Sequence, residues 1–140
     1  MKILILTLVI LICSLASLGD VRLPDVIGSS MILQQKQKLP VWGWAEPGET
    51  VTVEFAGQKK TTAAGPDGKW RVELSGLKAN SNPQSMIIAG KNRIELTDIL
   101  VGEVWLVAGQ SNMQRLLRET ANGDAVQAAA NHPDIRLFNV

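Results

Sequence analysis

Short runs with alternating hydrophobic and polar residues dominate the chain from Val21 to about Val101. In "KWRVEL", Trp70, Val72 and Leu74 share one face of a strand, and the three charged residues between them share the other. This period of two is typical of antiparallel strands with one buried face. "TVTVEFA" alternates in the same way, and turn residues separate such runs about every ten residues. The pattern predicts a small β-sandwich domain over residues 20–101.

Trp42 and Trp44 lie two residues apart in "VWGWA" and therefore on one face of their strand, with Gly43 on the other. An indole buries a large apolar area, so the favoured interpretation places both tryptophans in the sandwich core. The alternative makes them a platform on which a sugar ring stacks. The pattern alone allows both.

The pattern changes after Gly102, where the run from Val104 to Ala108 is apolar at every position. Continuous apolarity predicts a strand covered on both faces, as in an α/β sheet. Asp124 and Gln127 form a candidate capping box for a following helix, and "DIRLFNV" reads as a second strand. Residues 102–140 are therefore predicted to begin an α/β domain with a strand, a loop, a helix and a strand.

The N-terminus has the pattern of a secretory signal peptide over residues 1–19, with Lys2 before an apolar segment and small residues at its end. A membrane anchor is the alternative, but the uninterrupted apolar core from Ile3 to about Leu15 is shorter than the ~18 residues of a spanning helix. The protein is expected to be secreted or periplasmic, with no stable membrane span after cleavage. Its oligomeric state is open.

Composition narrows the chemistry. The chain has 46% hydrophobic and 19% charged residues, and its single cysteine, Cys13, lies in the predicted signal peptide. Without that segment no thiol remains, so disulfides, thiolate metal sites and cysteine catalysis are excluded. No basic face for nucleic acid is visible. No metal or cofactor is expected.

Ser111, between the amides Gln110 and Asn112, follows the apolar run directly in "EVWLVAGQSNMQ". Ligands bind at the carboxyl ends of α/β strands, so this serine is a candidate nucleophile, although a polar turn explains the pattern as well. Met113 replaces the second glycine of the G-x-S-x-G nucleophile elbow, and no phosphate-binding loop is present.

"VRLPDVIGSSMILQQ", "LPVWGWAEPGETVTVEFAGQ", "DGKW", "VGEVWLVAGQSNM" and "HPDIRLFNV" together resemble the N-terminal portion of the sialate O-acetylesterase family. The resemblance implies a β-domain before an SGNH-type serine hydrolase domain. It also implies that Ser111 is the nucleophile and that its backbone N–H contributes to the oxyanion hole. Gln110 and Asn112 are candidates for bracing the loop or contacting substrate. An O-acetylated sugar is the expected substrate.

The chain departs from the family pattern in two respects. It continues as "NMQRLLRET", where family members often have an acidic residue and a proline, so contacts of this loop with substrate are in doubt. The family's catalytic Asp and His come from late in the hydrolase domain and are expected beyond Val140. His132 is expected to be structural or exposed rather than the base, because Pro133 holds it on the connection into the next strand.

Two functional hypotheses remain. The first is an N-terminal fragment of a secreted carbohydrate O-acetylesterase, which by itself is expected to be inactive. The second is a non-catalytic exported β-sandwich that binds sugar through its tryptophans.

Overall fold

The computed structural model describes residues 20–139. The predicted signal peptide lies outside the described residues, so its assignment stays a prediction. Seven strands are formed: β1 (Ile32–Gln34), β2 (Leu39–Trp44), β3 (Thr50–Phe55), β4 (Gln58–Ala63), β5 (Lys69–Leu74), β6 (Asn80–Ala89) and β7 (Arg93–Gly102). The 3-10 turns Ser111–Gln114 and Leu117–Glu119 and one short helix, α1 (Gly123–Ala129), follow them.

The strands form two sheets. A five-stranded sheet has the order β1-β7-β6-β3-β4 and curls into a half-barrel, while β2 and β5 form an antiparallel pair. β1 runs parallel to β7, and the other pairs in the large sheet are antiparallel. The mostly β architecture predicted for this part of the chain is thereby confirmed.

Both sheets contribute to one hydrophobic core. Alternation places Trp70, Val72 and Leu74 of β5 inside, as predicted, opposite Val51 and Val53 of β3 and residues of β6 and β7. Every hydrophobic residue buried among residues 20–139 lies between Val21 and Val101. The core therefore belongs entirely to the segment that was predicted to be β.

The expected positions of Trp42 and Trp44 are wrong. Gly43 faces the core, and the two indoles lie on the outward face of β2, with 38% and 37% of their surfaces exposed. A Cβ atom on Gly43 would lie 2.1 Å from the Arg22 carbonyl oxygen and 3.0 Å from Cζ2 of Trp70. No side chain fits there, because the Trp70 indole already fills the core at that point.

A β-bulge shapes β7 near its middle. Met86 pairs with Leu96 and Gln84 pairs with Ile99, so β7 contains one residue more than β6 between these two pairs. Asp98, in the bulge, has a φ of 58°, and its carboxylate accepts a hydrogen bond from the Ser30 hydroxyl at 2.8 Å. The bulge is thus pinned by the loop that precedes β1.

The strand-loop-helix-strand arrangement predicted for residues 102–140 is not formed among the described residues. The apolar run 104–108 and the segment 134–139 are not strands, because no other strand lies beside them to accept and donate hydrogen bonds. The helix forms, but the predicted capping box is wrong. Asn122 is the N-cap, and Asp124 lies in the first turn of α1. The beginning of an SGNH-type domain is therefore not confirmed.

Gly123, at the start of α1, is the one buried residue of the segment 103–139. A Cβ atom there would lie 1.9 Å from the Leu117 carbonyl oxygen, so a glycine allows α1 to pack against the preceding 3-10 turn. In the described part of the chain, no helix has the length and apolar character required to cross a membrane.

Candidate functional site

The chain leaves β7 through a polar clamp formed by Gln34, Gln35 and Glu103. The side-chain amides of Gln34 and Gln35 donate hydrogen bonds to the Glu103 carboxylate at 2.9 Å and 2.6 Å. The Gln34 amide oxygen accepts a hydrogen bond from the Val104 backbone N–H at 2.8 Å. These bonds fix the direction in which the apolar segment departs towards Ser111.

The clamp also changes the acidity of Glu103. Hydrogen bonds from Gln34 and then Gln35 stabilise the carboxylate and hold the pKa of Glu103 below its ordinary value. Glu103 therefore keeps its charge to a lower pH than a glutamate without these hydrogen bonds.

Beyond the clamp, the apolar segment is strongly exposed. Trp105 and Leu106 have 82% and 93% of their surfaces accessible, and Val104 and Val107 are also exposed. Large contiguous apolar surfaces of this kind commonly mark sites of contact with other protein surfaces. The segment carries the chain from the β core to the serine.

Ser111 begins the 3-10 turn Ser111–Gln114 and is exposed. The Met113 N–H donates to the Gln110 carbonyl at 2.9 Å and closes the turn. Gly109 allows Met113 to fold back, since a Cβ atom at Gly109 would lie 2.7 Å from Cγ of Met113. Within residues 20–139, neither the Ser111 hydroxyl nor its backbone N–H forms a hydrogen bond. Both groups are therefore available to a ligand.

The two amide residues beside Ser111 support the turn through their backbones. The Gln110 carbonyl accepts from Met113, and the Asn112 carbonyl accepts from the Arg115 N–H at 3.3 Å. Neither side-chain amide is hydrogen-bonded to another described residue. Both side chains are exposed beside the serine, where their role stays a prediction.

His132 lies beyond α1 and is exposed. Its carbonyl accepts a hydrogen bond from the Ile135 N–H at 3.0 Å, and its imidazole is not hydrogen-bonded to Ser111. The described structure thus does not join the two residues into a nucleophile-base pair. It likewise brings no group of three or more His, Cys, Asp or Glu side chains together as a metal site within the described range.

Arg136 anchors the far end of this segment to the β core. Its guanidinium forms an ion pair with the Asp98 carboxylate at 2.8 Å, donates to the Asp98 carbonyl, and reaches the Met31 carbonyl at 3.4 Å. The sequence patterns did not predict this contact, because it joins positions 38 residues apart that share no local motif.

No family model matches the chain. Curated proteins do match: the sialate O-acetylesterases of Rattus norvegicus and Homo sapiens are 31% and 30% identical to it over 131 residues, which cover 85% of this chain. This chain is homologous to part of the sialate O-acetylesterases. It spans about a quarter of their length, 24% of the rat protein and 25% of the human protein.

The solved structure of another acetylesterase is also similar to this chain. A carbohydrate acetylesterase from Xanthomonas citri superposes with a TM-score of 0.76 at 35% identity, over 81% of this chain and 26% of that protein. The predicted relationship to sialate O-acetylesterases is therefore confirmed for the part of those proteins that the chain spans. A match over 85% of 140 residues includes Ser111 wherever it begins.

Proposed function

We propose that the chain is the nucleophile-bearing part of a carbohydrate O-acetylesterase that removes acetyl esters from a carboxylated sugar of the sialate class. The observation that carries the proposal is the similarity to sialate O-acetylesterases, which extends through Ser111. The similarity to the X. citri carbohydrate acetylesterase supports the same reaction class.

In the proposed reaction, the Ser111 hydroxyl attacks the acetyl carbonyl. A base takes the hydroxyl proton, the sugar oxygen leaves with a proton, and water then releases acetate from the acetyl-serine. The exposure of Ser111 and its freedom from hydrogen bonds within the described residues support this role. Both properties leave the oxygen accessible to an ester.

The backbone N–H of Ser111 is proposed as an oxyanion donor. It stands at the start of a 3-10 turn and donates to no other described residue, so it can donate to the tetrahedral intermediate. One such donor lowers the barrier by roughly 3–4 kcal/mol. Gln110 and Asn112, exposed on either side, are proposed to contact the sugar.

The base is proposed to lie outside residues 20–139. His132 has no hydrogen bond to Ser111, and Ser111 has no carboxylate or imidazole partner within residues 20–139. The 140 residues alone are accordingly proposed to hydrolyse esters very weakly. Loss of a triad member costs on the order of a million-fold in kcat in a serine hydrolase where it was measured.

Export is proposed from the sequence of residues 1–19 alone. N-terminal sequencing of the protein recovered from the periplasm or medium tests it, with a new N-terminus near residue 17 or 20 expected. Recovery of intact Met1 in a membrane fraction would contradict export.

The proposed role of Ser111 predicts the outcome of two substitutions, made in the active enzyme that contains this chain. Ser111→Ala removes one exposed hydroxyl, so we expect deacetylation of an O-acetylated sialic acid to be abolished while the circular dichroism spectrum is unchanged. His132→Ala is the matched control and should leave kcat/KM within a few-fold. Both activities are measured by acetate release.

Equal losses of activity in the two variants, with normal circular dichroism, would contradict the assignment of His132. Full activity in Ser111→Ala would contradict the proposed nucleophile.

A further inference from the structure

The outward face of the β2–β5 pair carries an open cleft of about 450 Å³. Trp42 and Trp44 line it from β2, and Lys69 and Arg71 line it from β5, with Pro40 at one end. The volume lies within the range of small-molecule sites, roughly 300–1,000 Å³. Residues two apart on a strand are about 7 Å apart, so the two indoles are spaced to contact one ring-sized ligand.

The cleft is cationic. Register places Arg71 opposite Trp42 and Lys69 opposite Trp44, so each indole has a positive side chain beside it on the same face. No acidic residue lines the cleft. Glu73, the next outward residue of β5, is occupied by an ion pair with Lys38 at 2.7 Å.

The two cations differ in their partners. Lys69 forms an ion pair with Asp67 at 3.1 Å. Among the described residues the Arg71 guanidinium forms no hydrogen bond or salt bridge, although, after the hydrogen bond from Lys38, its charge helps to lower the pKa of Glu73. A guanidinium whose donors are not engaged in a salt bridge, beside an exposed aromatic surface, presents a planar fork of N–H groups that matches a carboxylate.

The backbone behind the cleft is held in place. Arg22 and Trp44 exchange two backbone hydrogen bonds at 2.8 Å and 2.9 Å, and the buried Trp70 packs behind Gly43. The backbone that carries Trp42 and Trp44 is thus held before any ligand binds, which lowers the entropic cost of binding.

We propose that this cleft is a binding site for a carboxylated sugar, separate from the Ser111 turn. The indoles of Trp42 and Trp44 contact the apolar face of the pyranose ring, and the Arg71 guanidinium binds its carboxylate. The site retains an acidic glycan near the enzyme. The choice of an acidic sugar agrees with the proposed function, but the cleft and its charge are independent of catalysis at Ser111.

The test is a titration of the 140-residue chain carrying Ser111→Ala with N-acetylneuraminic acid. The four tryptophan indole N–H signals are followed by NMR. The Trp42 and Trp44 signals should shift with one saturable curve, and the signal of Trp105, which is exposed but does not line the cleft, should not move. Methyl glucoside and acetate, titrated separately, should bind at least tenfold more weakly.

Two variants locate the site. Arg71→Gln should weaken binding by about tenfold or more, the loss expected for one charge-assisted contact, and Trp42→Ala should weaken it similarly. Arg93→Gln on β7, which removes an exposed cation outside the cleft, and Trp105→Ala are the matched controls and should bind as the parent does. Circular dichroism verifies that each variant is folded.

The proposal is overturned if no saturable shift occurs, if methyl glucoside binds as tightly as the acidic sugar, or if folded Arg71→Gln binds unchanged. The last result would leave the Trp42–Arg71 pair as a contact that only stabilises the sheet. Because binding is measured without Ser111, loss of the proposed esterase activity in another experiment would leave this result unaffected.

Discussion

Gly43 illustrates what a single residue decides in this fold. Alternation correctly separates Trp42 and Trp44 from Gly43, but a period of two identifies two faces without telling which one is buried. The large size of the indole side chain led to the prediction that both tryptophans lie in the core. The deciding facts are non-local, since the Trp70 indole and the Arg22 backbone occupy the space in front of Gly43. A sequence without coordinates does not contain that contact.

Gly43→Ala should therefore destabilise the protein strongly for so small a change. The added methyl group collides with the Arg22 carbonyl, which accepts the Trp44 N–H, so the β2 backbone must shift. We expect a loss of about 1–3 kcal/mol in the free energy of unfolding, as for other overpacked cores.

Urea denaturation measures this loss, with Gly102→Ala as the control. A Cβ atom at Gly102 would lie 3.6 Å from Cγ2 of Ile32, an ordinary contact, so this variant should change the free energy of unfolding by less than about 0.5 kcal/mol. A Gly43→Ala protein as stable as the parent would show that the site relaxes without cost.

For Ser111, the sequence predicted the position of the residue but not its chemical role. The sequence placed it directly after an apolar run, and the structure places it exposed at the start of a turn. Its chemical role was inferred from family resemblance, because spacing alone favours a polar turn. A base could not be located from local sequence, since catalytic partners meet through the fold.

At the scale of elements, strands with an alternating pattern were predictable. β3 and β5 bury the residues that alternation indicated. The two strands predicted in "VWLVA" and "DIRLFNV" were wrong for a common reason. Continuous apolarity predicts burial between two layers, but a strand exists only where another strand supplies hydrogen-bond partners. Residues 103–139 provide no such pair, and neither segment forms a strand.

The bulge in β7 gives a pH-dependent prediction for an element. The Ser30 hydroxyl first, and the Arg136 guanidinium in addition, hold the pKa of Asp98 below its ordinary value. A depressed pKa in the folded state means that the carboxylate contributes stability above its ordinary pKa and loses it as the pH falls through the depressed value. Ser30→Ala should therefore raise the pKa of Asp98.

An NMR titration of the Asp98 carboxyl carbon measures this pKa directly. Arg136→Gln should also raise it, because both variants remove a group that favours the charged form. Ser29→Ala is the control, since the Ser29 hydroxyl bonds the Thr97 N–H and not Asp98. An unchanged Asp98 pKa in Ser30→Ala would show that the hydroxyl does not stabilise the carboxylate.

At the scale of the whole molecule, stability and candidate chemistry occupy different parts of the chain. The buried hydrophobic residues lie between Val21 and Val101, whereas Ser111 lies in a segment connected to that core by the Glu103 clamp and the Arg136 ion pair. The Glu103 clamp is exposed and the Arg136–Asp98 pair is only part-buried. Polar contacts near the surface contribute little to stability, typically about 0–1 kcal/mol for an exposed ion pair. Unfolding of this segment should therefore be separable from unfolding of the core.

Amide hydrogen exchange should reveal that separation. Val53 and Ile88 lie on paired strands and are fully buried, so we expect their amides to exchange only through global unfolding. From Trp105 to Gly109 no backbone N–H donates to another described residue, so these amides should exchange at nearly unprotected rates in the monomeric 140-residue chain. Val104 is the internal control, because its N–H is bonded to Gln34 and should exchange more slowly than the N–H of Trp105.

Gln34→Ala should remove that difference without changing the exchange of Val53. Strong protection of residues 105–108 at a concentration where the chain is monomeric would contradict separate unfolding of this segment. Such protection would require strand partners that the described chain does not provide.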